Sequence, residues 1–392
     1  MLHVRNQRAP LPAGRATQAV PPPAVTDDQA RVTARDPFFD NAKYLAIVLV
    51  AVGHAWAPLR DDSRTVAALY NFVYTFHMPA FILLAGYFSR NFTGRPDQLK
   101  RLVTGVLVPY LIFGVAYVLF QRWLTDDPDY PFALLDPYYL TWFLIALFIW
   151  RLSAPLWRIV RWPMPVALTI AALASFAPSL GNDLNIQRVL QFLPFFVLGT
   201  LLRPEHFELA RRREVRLLAL PVFLCALATA YWAVPRMEAS WFYRSYAAQD
   251  YGFEWWVGVV MSLALFGCGL VLTVCFLAWV PRRHRWYSVL GAGTIYGYLL
   301  HGFVVKASRW EEWYDAAWVT TPAGQLAVTA IAAVGVTLLC TAPVRRVFRC
   351  VVEPGMDWAF RGLRRDGDGA GGGDGGRSAA AADPKRRSVK AG

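Results

Sequence analysis

The sequence predicts an all-α fold: a polytopic transmembrane helical bundle of about ten spans with both termini in the cytoplasm. Three observations predict it. Of 392 residues, 56% are hydrophobic and 17% charged, well under the roughly 25% charge usual in soluble domains. The apolar residues come in long blocks between short charged connectors, and a spanning helix needs about 20 of them. Lysine and arginine also alternate in density from one connector to the next.

In order, the blocks place spans at 41–58, 68–88, 102–121, 138–150, 164–178, 189–202, 215–234, 255–280, 287–305 and 324–343. The fourth to sixth are short for a full crossing. Even-numbered connectors carry Arg90, Arg95, Lys100 and Arg101; then Arg151, Arg158 and Arg161; then Arg203, Arg211 to Arg213 and Arg216; then Arg282, Arg283 and Arg285. Odd-numbered connectors hold only Arg60, Arg64, Arg122, Arg188, Arg236, Arg244, Lys306 and Arg309. The positive-inside rule puts the even set in the cytoplasm. The net charge of +13 is thereby spent on anionic lipid and argues against a nucleic-acid partner.

Residues 1–35, rich in Pro, Ala and Arg, read as a disordered cytoplasmic tail without the apolar core of a signal peptide. Residues 36–345 form the membrane domain, and 346–392 a basic, mostly disordered cytoplasmic tail. The cysteines (225, 268, 275, 340 and 350) have no ligand or disulfide spacing and read as small apolar core residues.

Polar residues inside the spans point to function. Lys43 and His54 are eleven residues apart, about three full turns plus 20°, so one helix face carries both, roughly 16 Å apart. Lys43 stands at the cytoplasmic mouth, with Asp40 a turn before it and placed to pair with it. His54 lies deep, past the midplane. His77 shares a face with Tyr70 and Tyr74, and His301 with Thr294 and Tyr298. Ionisable groups within spans are costly, face the bundle interior and mark functional sites. A single neutral histidine can also serve only to bridge helices. No carboxylate or cysteine joins these histidines at metal-ligand spacing, so no metal is expected.

The segments "RDPFFDNAKYLAIVLVAVGH", "YNFVYTFHMPAFILLAGYFSR" and "KRLVTGVLVPYLIF", followed by "YYLTWFLIALFIWRL" and "YGYLLHGFV", carry a resemblance. Together they resemble the integral-membrane acyltransferase family 3, and within it the fucose 4-O-acetylase-like branch. The family's motif of a basic residue, ten residues and a histidine falls on Lys43 and His54. The Arg-x-x-Arg of many members is absent: Lys100 and Arg101 precede Val103 and Thr104.

The resemblance implies an O-acyltransferase of the plasma membrane. It would move an acyl group, usually acetyl, from cytoplasmic acetyl-CoA or another acyl-CoA to a hydroxyl of a sugar, glycan or glycosylated metabolite. In that reading His54 is the general base, and His301 and His77 orient the acceptor or stabilise an oxyanion. Lys43, Lys100 and Arg101 contact the CoA phosphates. Tyr74, Trp142, Tyr298 and Trp241 are candidate acceptor contacts. The rival reading is a proton-coupled transporter or exporter of a glycan or small molecule. Matching Gly/Pro-broken halves, its usual signature, are not apparent in the sequence.

Overall fold

A computed structural model describes residues 36–180 and 183–360. The expected tail at 1–35, and 361–392 of the C-terminal one, lie outside the described residues. Within them all regular structure is helical.

Helix α1 (Pro37–Trp56) starts where Asp36 accepts a hydrogen bond from the Phe38 N–H at 2.9 Å. Pro37 occupies the first turn, where a missing N–H costs nothing. Helix α2 (Arg64–Ser89) is capped by the Ser63 hydroxyl accepting from Val66 N–H at 3.3 Å. Next, α3 (Pro96–Leu102) widens into a π turn (Val103–Leu107) and continues as α4 (Val108–Thr125). Pro109 explains the widening. It offers no N–H to Gly105 and its ring crowds that carbonyl, so the helix opens by one residue.

The chain continues with α5 (Trp142–Ile159), α6 (Pro163–Ala174), α7 (Ile186–Leu201), the short α8 (Pro204–Ala210) and α9 (Arg213–Ala233). A one-turn α10 (Ser240–Tyr243) precedes α11 (Trp255–Trp279), α12 (Thr294–Trp310), α13 (Pro322–Leu339) and α14 (Ala342–Val352).

Nine helical stretches are long and apolar enough to cross a membrane among the described residues. The fourth and sixth expected spans lengthen to Tyr139–Ile159 and Asp183–Leu201. The fifth does not. Helix α6 has 12 residues, about 18 Å of rise, against a hydrocarbon core of about 30 Å. The tail expected from residue 346 begins inside α14, whose Arg345, Arg346 and Arg349 keep the basic character.

Helix α2 runs through the middle, packed on α1, α5, α7, α9 and α11. Its tightest neighbour is α7. Gly86 lies on the Phe196 carbonyl and Gly199 on the Leu83 carbonyl, so a Cβ at either position would strike backbone. Small residues that let helix backbones touch are the usual device of membrane bundles. Pro79 leaves the Thr75 carbonyl without its helical donor, and Gly269 of α11 packs there. Helices α9 and α13 are peripheral and expose Leu217, Leu218, Leu326, Ile331 and Leu338, which suits a lipid-facing surface. Cysteine placement differs from expectation: Cys275 and Cys340 are buried, while Cys225, Cys268 and Cys350 are exposed.

Candidate active site

Three helices bring their polar faces together. On α1, Gly53 makes room beside His54 for the Tyr74 ring of α2; a Cβ there would sit 3.0 Å from Tyr74 Cε2. Tyr74 stacks on Tyr70 at 3.9 Å and meets His77 edge-on at 4.6 Å. From α12 comes His301, 5.5 Å from His54 between ring centroids, with Tyr298 a turn earlier. The Tyr139 ring, at the entry to α5, lies 5.3 Å from that of His54.

Hydrogen bonds distinguish the three histidines. His77 Nδ1 faces the Val73 carbonyl at 2.8 Å, and His301 Nδ1 faces the Gly297 carbonyl at 2.9 Å. A carbonyl can only accept, so both Nδ1 atoms carry the proton and both Nε2 atoms are left as acceptors. His301 Nε2 is buried and has no partner within the protein, which is rare for a buried polar atom. His54 is not tied to its own helix. Its Nδ1 meets the Tyr139 hydroxyl at 3.2 Å, while Arg309 Nη2 donates to its main-chain carbonyl at 3.2 Å.

His54 and His77 line a cavity of about 800 Å³. Its walls include Tyr74, Trp142, Tyr298, Gln187, Arg188 and Arg309. All five odd-numbered connectors reach it, through Arg60, Asp136 to Tyr139, Asn185, Phe242, Tyr243, Ser245, Tyr246 and Tyr314. The cavity therefore lies toward one end of the bundle, the end opposite the densest arginines.

The backbone on that side is also unusual. The non-glycine residues with left-handed backbone are Asp126, Tyr139, Leu184, Asn185, Arg244 and Glu312, with φ between 49° and 55°. Tyr139 and Asn185 line the cavity, and such conformations cost of order 1–3 kcal/mol unless their surroundings impose them.

A buried anchor holds the roof. Arg244 Nη1 donates to the Gln191 carbonyl at 3.0 Å, and its guanidinium lies 4.9 Å over Phe192. Burial pulls this group down from its usual value to about 9, so it stays charged at neutral pH. It fixes the loop whose Tyr243 hydroxyl bonds Tyr70 at 2.6 Å.

The residues expected from sequence thus divide. His54, His77, His301, Tyr74, Trp142 and Tyr298 are brought together. Trp241 is not: it packs on Tyr251 and Phe253, and its neighbours Phe242 and Tyr243 face the cavity instead. Lys43, Lys100 and Arg101 lie at the far end of the bundle. Lys43 is paired with Asp40 at 2.7 Å and stands 5.9 Å from the Phe88 ring. Arg101 bonds Asp97 at 2.6 Å and lines a pocket of about 240 Å³ with Phe88, Phe92 and Arg151. Lys100 lies over the Phe360 ring.

Sequence reasoning missed Tyr139, Arg188 and Arg309 as cavity residues. The arginines did leave a signal, as cations in the connectors that carry fewer of them. No group of three or more His, Cys, Asp or Glu suited to a metal occurs among the described residues. An imidazole free of its own helix beside an unpartnered acceptor, in a pocket walled by aromatics and amides, can take a proton from a bound hydroxyl.

Comparison with known proteins adds three findings. A family profile described as an acyltransferase domain matches residues 36–343. The nodulation protein NolL of Sinorhizobium fredii (strain NBRC 101917 / NGR234) is 25% identical over 232 residues, covering 55% of this chain and 60% of that protein. The match thus spans less than two thirds of that relative's length. No solved structure matches the chain.

Proposed function

Because this chain belongs to the acyltransferase family whose domain spans residues 36–343, we propose that it transfers an acyl group, acetyl first among them, from cytoplasmic acyl-CoA to a hydroxyl of a sugar or glycan. It is a multi-pass membrane acyltransferase, and we place it in the plasma membrane with both termini inside. The observation that carries the reading is the position of His54. It stands on the cavity wall, three turns along one helix from Lys43, beside the unpartnered Nε2 of His301.

In this mechanism the Tyr139 hydroxyl accepts the His54 Nδ1–H and orients the ring, leaving Nε2 to take the acceptor's proton. The deprotonated oxygen attacks the thioester carbon. The CoA thiolate then leaves and takes up a proton, so the histidine returns to its neutral form. His301 Nε2 accepts a hydrogen bond from a neighbouring hydroxyl of the acceptor and helps to align it. Lys43, Lys100 and Arg101 would hold the donor's phosphates at the cytoplasmic end, with the acyl arm threading toward the cavity. Tyr74, Trp142 and Tyr298 offer flat faces and polar edges to a sugar ring.

The test is acceptor-dependent chemistry. Purified protein in lipid nanodiscs should release free CoA thiol from acetyl-CoA faster when glycosides are added, with acetylated glycoside as product. Glycoside movement across proteoliposomes without acetylation would instead identify a carrier.

A further inference from the structure

Several cations face the cavity, and among the described residues none of them has a carboxylate partner. Arg188 enters from the first turn of α7. Its Nε donates to Ser245 Oγ at 2.6 Å and its guanidinium lies 4.9 Å over the Trp142 ring. Neither Nη has a protein acceptor among the described residues. Arg309, on α12, uses one Nη for the His54 carbonyl, which places its charge beside the proposed base. Arg60 is more fully engaged, donating to Ala57 and the Tyr243 hydroxyl over the Tyr70 ring.

Two carboxylates also line the cavity, Asp136 and Asp315. Both are exposed residues of the rim, and neither forms an ion pair with these guanidiniums.

Membrane topology does not account for this arrangement. Positive charge is retained on the cytoplasmic side by the positive-inside rule, and these residues sit at the opposite end of the bundle. Packing does not account for it either. Arg309 is exposed but Arg188 is half-buried, and a half-buried guanidinium without a counter-anion is unfavourable, because its hydration is reduced and nothing replaces it. What such a fork fits is a planar carboxylate or a phosphate, which two parallel N–H groups can hold.

We propose that the acceptor carries an anionic group, a carboxylate or phosphate on a saccharide, that Arg188 holds together with Arg309 while the acceptor's hydroxyl reaches His54. This rests on the acyltransferase reading. It narrows the substrate class from any hydroxyl compound to an acidic one. Trp142 fixes the guanidinium from one side, its own ring held by stacking on Phe192.

The experiment uses the full-length protein in nanodiscs of neutral phosphatidylcholine, with matched probes: methyl glucuronide against methyl glucoside, and a hexose phosphate against the free hexose. Two readouts are taken, kcat/KM for acetyl transfer and the shift in Tm on probe binding. The anionic member of a pair should be favoured by about 10- to 100-fold, the range supplied by a charge-assisted pair of hydrogen bonds. In Arg188→Gln the preference should fall to within a few-fold of one. Arg188→Lys, which keeps the charge but loses the fork, should lie between. Equal use or equal binding of both members, including no binding of either, overturns the proposal. So does a preference that survives in Arg188→Gln. An equal loss of kcat for both members would make Arg188 a stabiliser of the reacting oxyanion. A stabilising effect seen only with phosphatidylglycerol in the disc would assign the arginines to lipid and also overturn the proposal. Arg188-dependent anion binding without any acetyl transfer would leave the anion site standing and remove the acyltransferase reading.

Discussion

Replacing His54 separates chemistry from structure because its side chain makes few contacts. Among the described residues the one hydrogen bond of its ring is to the Tyr139 hydroxyl, at 3.2 Å. The bond from Arg309 goes to the main-chain carbonyl and survives any substitution. Removing the ring should therefore cost about 1 kcal/mol of stability from the lost hydrogen bond, plus part of its contact with Tyr74 and His301. Loss of a general base costs about 10²–10⁴-fold in rate, equivalent to roughly 3–5 kcal/mol of barrier. The two effects differ enough to be told apart. His54→Gln sharpens the contrast, since an amide can still bond Tyr139 but cannot take up a proton. Both His54→Ala and His54→Gln should bind acetyl-CoA like wild type, elute as folded protein and show acetyl transfer reduced by at least about 10²-fold. The assay is thiol release in nanodiscs, normalised to CoA binding measured separately. A folded His54→Gln variant within a few-fold of wild type would refute the argument and leave His301 as the nearest alternative base.

Three further outcomes are expected. With both termini cytoplasmic, a cysteine replacing Ser240 should react with an impermeant maleimide in intact cells; labelling only after lysis would reverse the topology. Lys43→Met, and the double change Lys100→Gln with Arg101→Gln, should each weaken acetyl-CoA binding by about tenfold or more, the loss of a charge-assisted contact. The Lys100/Arg101 change should hardly alter folding, since exposed ion pairs such as Arg101–Asp97 contribute about 0–1 kcal/mol, whereas Lys43→Met removes the ion pair of the buried Asp40 and should lower the melting temperature. Unchanged CoA affinity in both would reduce these residues to topology signals. Gly199→Leu should prevent a folded, monodisperse protein, because the Leu83 carbonyl lies where the new side chain must go and overpacking typically costs about 1–3 kcal/mol or more. An unaltered melting temperature in detergent would show that the α2–α7 crossing can move apart.

The parts of this molecule legible in sequence are those governed by short periodicities. Block length and hydropathy located the spans because the bilayer imposes a minimum length on any crossing helix. The 100° turn per residue is enough to put Lys43 and His54 on one stripe. Asp40 was placed to pair with Lys43 by the same register, and the ion pair is there. Where a segment broke the length rule, at α6, sequence could only register the shortfall. A 12-residue helix meets its neighbours α7 and α11 without having to satisfy the bilayer alone.

What stayed hidden depends on contacts between distant segments. Tyr139 and His54 are separated by 85 positions, and no local pattern links them. Tyr139 reaches the ring from a left-handed backbone, a conformation that nothing in "DPYYLTW" requires. Trp241 and Tyr243 look equivalent in an aromatic connector. Their different fates follow from Arg244, which is buried against Phe192 and turns the loop so that Tyr243, not Trp241, faces inward. Arg188 is the most instructive case. Counted as a connector charge, it only weakened the topology signal slightly. Placed beside Trp142 and Ser245, the same charge becomes a fork held open toward the cavity. An arginine on the side of the membrane where charge sorting does not call for one needs a local reason to be there. Here the local surroundings contain aromatic rings, hydroxyls and a base, but among the described residues no carboxylate in ion-pair contact with that fork.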